Sequence, residues 1–187
     1  MPPRPEKHVP GPTGSLADFD PAARAALLDV TAPTVRDPEG RYPVVIGPKF
    51  DPRRRCASAE VAKLLRADLK TAQSSGALPR TAVFSVRSEL FAGGQSVRVE
   101  IRNLPDREIL DTHPDYPDRL NRDARELERT VRRMANAYNR DASDSQSDVF
   151  DVHYYAHVTI ETEAGRATRQ RLDAESRAAR RKANANG

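Results

Sequence analysis

Two spacings of apolar residues organise the middle of the chain. From Ser58 to about Gln73, Val61, Leu65, Leu69 and Ala72 follow one another at steps of four and three, with Lys63, Arg66 and Lys70 on the other side. Residues three and four apart share a helix face, so this stretch predicts an amphipathic helix with one buried and one wet side. Ser58 is placed to cap its start, and Ser74-Ser75-Gly76 to end it. A second, longer helix is predicted over 118–139. There Leu120, Ala124, Leu127, Val131, Met134 and Tyr138 keep the same rhythm, and Arg122, Arg125, Arg129 and Arg132 form a stripe opposite them.

Elsewhere the period drops to two, the signature of strands whose successive side chains point to opposite faces. Phe84 and Val86 alternate with Ser85 and Arg87 over 82–88, and Val97, Val99 and Ile101 alternate with Arg98, Glu100 and Arg102 over 96–102. Phe91-Ala92-Gly93-Gly94-Gln95 supplies glycines for the reversal between them. A third strand, 149–162, points Phe150, Val152, Tyr154, Ala156, Val158 and Ile160 inward and Asp151, His153, Tyr155, His157, Thr159 and Glu161 outward. The order helix, strand, strand, helix, strand predicts an α+β fold: a small antiparallel or mixed sheet with both amphipathic helices on one face and the other face open. Leu65, Leu69, Phe84, Val99, Leu127, Val131 and Val158 are its expected core.

The ends read differently. Residues 1–19 hold five prolines and no apolar period, and are expected to be disordered. Over 20–54, Asp20 and Pro21 are suited to cap and open a short helix through Leu28, and Asp37-Pro38-Glu39-Gly40 suits a type I turn joining Thr34–Arg36 to Arg41–Ile46. The core is assigned to 55–163. Residues 164–187 form a basic tail, either a frayed Ala/Arg/Glu helix or disordered.

Charge sharpens this division. Of the net +4, the stretch from Arg166 to the end carries +5, with seven basic residues against Asp173 and Glu175, so the rest of the chain sits at −1. Such a tail attracts polyanions. No apolar run approaches the ~20 residues needed to cross a bilayer, and Met1 to Pro12 has prolines and charges where a secretion signal needs apolar residues. The chain is expected to stay in the cytoplasm without membrane contact, and the lone Cys56 accords with a reducing compartment.

Candidate chemistry is sparse. His153 and His157, four apart on a strand, lie roughly 13 Å apart, too far to share a zinc held at ~2.1 Å by each ring. Asp141 to Asp148 lacks the glycine and closing glutamate of a calcium loop, and reads instead as a solvated helix-to-strand connection. Gly93-Gly94-Gln95-Ser96 has neither the spacing nor the following helix of a phosphate cradle. Cys56 has no nucleophile motif around it, and no catalytic residue, metal or cofactor is assigned. What remains is the outward sheet face: Arg87, Arg98, Arg102, His153, Tyr155 and His157 combine guanidinium groups with an aromatic ring, a set able to contact phosphates and stack a base.

The segments 58–70, 84–88, 93–99, 137–141 and 150–158, read together, resemble the large polyvalent protein-associated domain of type 29, over about residues 55–162. The carrying stretches include Ser58-Ala59-Glu60-Val61-Ala62-Lys63-Leu64-Leu65, Gly93-Gly94-Gln95-Ser96-Val97-Arg98-Val99, Ala137-Tyr138-Asn139-Arg140-Asp141 and Phe150-Asp151-Val152-His153-Tyr154-Tyr155. That family occurs in proteins of phages and conjugative elements. The resemblance implies an accessory role in an invading element, protecting or assisting its DNA inside the host, and it brings no catalytic residues with it. The chain is expected to be a non-enzymatic accessory protein of an actinobacterial phage or related mobile element. The partner is expected to be nucleic acid or, alternatively, a host defence protein.

Overall fold

A computed structural model describes residues 15–16, 19–36, 43–53, 56–113, 115–144 and 150–185, without the side chains of 182–185. The chain is α+β, built from helices α1 (Pro21–Val30), α2 (Ser58–Ser74), α3 (Asp106–Ile109), α4 (Arg122–Asn136) and α5 (Glu163–Ala185) and strands β1 (Thr34–Arg36), β2 (Val44–Ile46), β3 (Val83–Phe91), β4 (Gly94–Arg102), β5 (Arg140–Asp141) and β6 (Tyr155–Ile160). The strands form two three-stranded sheets, ordered β1-β2-β5 and β3-β4-β6.

The larger sheet is mixed. β3 and β4 form the expected antiparallel hairpin, and β6 returns parallel to β4 after the chain has crossed over through α4. Val86 and Val99 sit opposite one another, as do Val99 and Val158, so apolar side chains line up across all three strands. Both α2 and α4 lie against this face and touch each other. Leu65, Leu69, Val99, Leu127, Val131 and Val158 are buried as expected, while Phe84 is partly buried and packs against the core from its margin.

Several element ends depart from the sequence reading. α2 has Ala57, not Ser58, at its cap position; the amide of Ser58 instead donates to Gln95 Oε1 of the hairpin at 2.8 Å. A residue distant in sequence meets the need a local cap would have met. α2 ends where foreseen, with Gly76 at φ +81°, a conformation that favours glycine. α4 is shorter than 118–139. Asn121 caps it by accepting from the Ala124 amide at 2.9 Å, and Leu120 pairs with Leu110 before the helix begins. At the other end, Arg140 and Asp141 leave to join β2 instead of forming a solvated connection.

β6 is likewise shorter than 149–162. Val152 bridges Asp141 of the small sheet, so 150–154 turn away and regular alternation begins only at Tyr155. Phe150, expected inside, is 73% exposed. The N-terminal expectation lies mostly outside the described residues, but Leu16 departs from it: its side chain is in the core and its amide donates to Glu108 Oε2 at 2.7 Å. Asp20 caps α1 as read, accepting from the Ala22 amide at 2.9 Å, and β1 pairs with β2; the turn proposed over 37–40 falls outside the described residues.

The β1–β2 arm is fastened to the C-terminal end of α4. The amides of Gly47 and Lys49 donate to the carbonyls of Asn139 and Ala137, each at 2.8 Å, meeting acceptors that a helix end leaves unpaired. This requires a glycine, because a Cβ at position 47 would stand 2.3 Å from the Asn136 and Ala137 oxygens. Gly93 lies in the open hairpin turn, where a Cβ meets nothing closer than 3.9 Å. Gly47→Ala is therefore expected to cost about 3 kcal/mol and Gly93→Ala less than about 0.5 kcal/mol in chemical denaturation. Equal effects would contradict this docking.

Candidate nucleic-acid interface

The face of the larger sheet turned away from α2 and α4 carries no helix over its centre. Strand register decides what stands there. Arg87 is opposite Arg98, Arg98 is beside His157, and Ser96 is beside Tyr155, so five of the six residues expected on this face share it: Arg87, Arg98, Arg102, Tyr155 and His157. Between Arg87, Arg98 and His157 lies a shallow depression of about 230 Å³.

His153 is not part of this face. Because β6 begins only at Tyr155, its ring turns toward the loop before α2, with Nε2 3.0 Å from the Cys56 carbonyl and its plane edge-on to Phe50 and Tyr154. It fastens the crossover instead of facing solvent. Tyr155 remains partly exposed; its ring lies 5.9 Å from that of Phe91, and a Cβ on Gly94 would touch it at 3.5 Å. Gly94 itself is favoured by its backbone, at φ +150°, and not by any lack of space beside the ring.

Electrostatically, the face is close to balanced. Arg98 pairs with Glu89 at 3.1 Å, Arg102 bonds Glu100 through Nε at 2.7 Å, and Arg87 has no ion pair among the described residues. Exposed pairs of this kind contribute little to stability and leave little net field. The sheet thus offers hydrogen bonds and a ring more than it offers charge.

The tail supplies the charge, and it is ordered. α5 runs 23 residues, about 34 Å at ~1.5 Å per residue, and every side chain described from Gln170 onward is exposed. It springs from the rim of the open face. There Glu161, buried though it belongs to the outward set, accepts from Arg169 Nε at 2.6 Å and lies 3.6 Å from Arg166 Nε. The Glu163 amide also donates to Asp106 Oδ1 of α3 at 2.8 Å. Two arginines are thereby spent on the joint, whereas Arg177, Arg180 and Arg181 are exposed and have no ion pair among the described residues.

The sequence reading assigned no role to Glu161. Its signal was a carboxylate directly before a basic run, but only the closed joint gives that meaning. The other arginine-rich surface, the exposed side of α4, is half neutralised, with Arg129 bonded to Glu126 and Arg132 to Glu128 while Arg122 and Arg125 have no ion pair among the described residues. Among the described residues no group of three His, Cys, Asp or Glu side chains is arranged to hold a metal, and no helix is long and apolar enough to cross a membrane. No family model matches the chain, and neither does any curated protein or solved structure.

Burial pushes the Glu161 carboxyl upward, but the Arg169 hydrogen bond and the charges of Arg169, Arg102 and Arg166 outweigh it and hold it below its ordinary value of 4.5. A group depressed by folding stabilises the folded state above its unfolded value and loses that contribution as pH falls through the folded one. The α5 joint should therefore hold at neutral pH and loosen progressively below about pH 4.5. Glu161→Gln should cost about 2 kcal/mol at pH 7, less than a fully buried pair because Arg169 is partly open to water, and should flatten the acid limb of the stability profile. An unchanged acid limb in the variant would refute this role.

Proposed function

We propose that the chain is a non-enzymatic accessory protein that holds nucleic acid weakly and with little sequence preference, α5 supplying the charge and the open sheet face a stacking ring. The observation that carries this reading is α5 itself: a basic helix standing clear of the core, with Arg177, Arg180 and Arg181 exposed and without ion pairs among the described residues. A helix of this width fits the major groove of a duplex, and Arg177, Arg180 and Arg181, three and four residues apart, share one face from which they reach phosphates. Tyr155, with Arg87, Arg98 and His157 beside it, has the composition of a platform for an unpaired base. Service to a phage or other mobile element is the part of this proposal that rests on the sequence resemblance alone, since no family model matches the chain. Such a protein would work in the host cytoplasm.

A second reading, docking of a host protein, is favoured by one observation. The tip of the β3–β4 hairpin presents Leu90 at 78% and Phe91 at 47% exposure, and Leu90 lines the same cavity as Asp151 and Val152, which follow the exposed Phe150. Apolar side chains gathered at a surface mark contact sites for proteins more often than for nucleic acid.

The two readings separate in a salt titration. Each duplex phosphate neutralised contributes about −0.9 to the slope of log affinity against log salt. Removal of residues 166–187, or Arg177→Ala with Arg180→Ala and Arg181→Ala, is expected to lower the slope by roughly two to four. Tyr155→Ala should weaken single-strand binding by about 1–3 kcal/mol with the slope nearly unchanged. Failure to bind single- or double-stranded DNA or RNA at low salt would remove the nucleic-acid reading and leave the hairpin tip as the working surface.

A further inference from the structure

β3 is an outer strand. In the order β3-β4-β6 one of its edges bonds β4, and along the other no strand lies among the described residues. It runs nine residues, Val83–Phe91, without a proline or a break in register, a length of bare edge that proteins ordinarily shorten, kink or cover. In an antiparallel ladder, alternate residues turn their N–H and C=O toward the neighbouring strand and away from it. The Val86 carbonyl accepts from Arg66 Nη2 of α2 at 2.7 Å, which identifies Phe84, Val86, Ser88 and Leu90 as the residues turned outward. Among the described residues Arg66 is the one side chain bonded there, and it shields a single carbonyl while Ser88 and Leu90 stay exposed.

The side chains of the strand select what can pair with it. Toward the hairpin tip it presents Leu90 at 78% and Phe91 at 47% exposure, and at its start Val83 at 51%. Between them Arg87, Ser88 and Glu89 are exposed, with Arg87 and Glu89 on the open face. A second copy of the strand, antiparallel about a two-fold axis through Ser88, sets Arg87 of each copy directly opposite Glu89 of the other. These are positions of the non-hydrogen-bonded kind, where facing side chains stand closest. The same register joins outward main-chain groups to outward ones, Ser88 to Ser88 and Val86 to Leu90, with about six hydrogen bonds in all. It also lays Phe91 beside Ser85 and diagonal to Val83 of the other copy. Moving the axis by one residue, to Arg87 or to Glu89, would oppose two arginines or two glutamates, which is unfavourable.

We propose that the chain self-associates through β3, in an antiparallel register centred on Ser88, to form a two-fold dimer with one continuous sheet of three strands from each copy. The contact is isologous and uses the β3 edge of both copies, so it closes at two. Paired residues of an antiparallel ladder point the same way, so the helices of both copies lie on one side and the two open faces join on the other. Arg87, which has no ion pair among the described residues, gains a carboxylate that Arg98 already holds on that face at 3.1 Å. The interface is narrow and belongs with the weak, reversible class. It stands whether or not the open face binds nucleic acid, and it gives Leu90 and Phe91 an occupant that is not a host protein.

Sedimentation equilibrium of the full chain, at moderate salt and without nucleic acid, tests this. A monomer at about 1 µM that passes to a dimer by about 300 µM is expected, with slower hydrogen exchange at the Ser88 and Leu90 amides in the dimer. Arg87→Glu should weaken the dimer roughly tenfold or more by facing two carboxylates across the axis. Ser88→Pro should do the same, since it removes the central outward N–H without touching the β4 ladder. Arg87→Glu combined with Glu89→Arg restores opposite charges and should recover the dimer to within about threefold of the unaltered chain. Both positions are exposed, so these exchanges leave the core intact. A chain still monomeric at about 300 µM, a dimer indifferent to Arg87→Glu, or a double exchange as weak as the single one would overturn the proposal.

Discussion

The parallel pairing of β6 with β4 is the constraint on which the open face depends. A one-residue change of register would exchange the two sides of β6 and send Tyr155 and His157 into the core while expelling Val158. The observed register instead sets Val158 beside Val99 and His157 beside Arg98. A parallel neighbour demands a long crossover, and α4 supplies it, burying Leu127, Val131 and Met134 on the inner side of the sheet. Core and candidate interface are consequences of one alignment. Beyond the strand, Tyr154 helps to hold that alignment: its backbone exchanges hydrogen bonds with the Asn139 side chain, and its buried hydroxyl donates to the Ala135 carbonyl.

Charge is handled differently on the two sides of the molecule. On the sheet and along α4, Arg98, Arg102, Arg129 and Arg132 each have a carboxylate within reach, which limits their long-range field. α5 keeps its distal arginines uncompensated and carries them away from the core. A single helix with so little packing draws its stability from intrinsic propensity, and its alanines, with the spaced pairs Arg169–Asp173 and Arg171–Glu175, favour that. Glu161 then fixes where the helix leaves the domain. A basic segment held at the edge of a sheet presents its charge in one direction, which an unattached coil does not.

The parts of this arrangement legible in the sequence were those written in local periodicity. Val61, Leu65 and Leu69 mark α2, and Val97, Val99 and Ile101 mark β4, because burial repeats at the period of the element itself. Alternation likewise placed Arg87, Arg98, Arg102, Tyr155 and His157 together. It failed at His153 and Phe150, where Val152 pairs with Asp141 of another sheet and the strand rhythm is only apparent. Tertiary partners also decided the cap of α2, where Gln95 takes the role read for Ser58, and the anchoring of α5 by Glu161. The small sheet was only half visible, since β5 is two residues long and has no period to detect.

Backbone amide and arginine side-chain resonances of the full chain, followed while a short single-stranded oligonucleotide is added at low salt, test the account most directly. Shifts are expected along Arg177–Arg181 and at Arg87, Arg98, Tyr155 and His157, with the α4 stripe of Arg122, Arg125, Arg129 and Arg132 left in place. Shifts confined to that stripe, or none anywhere on the chain, would contradict it.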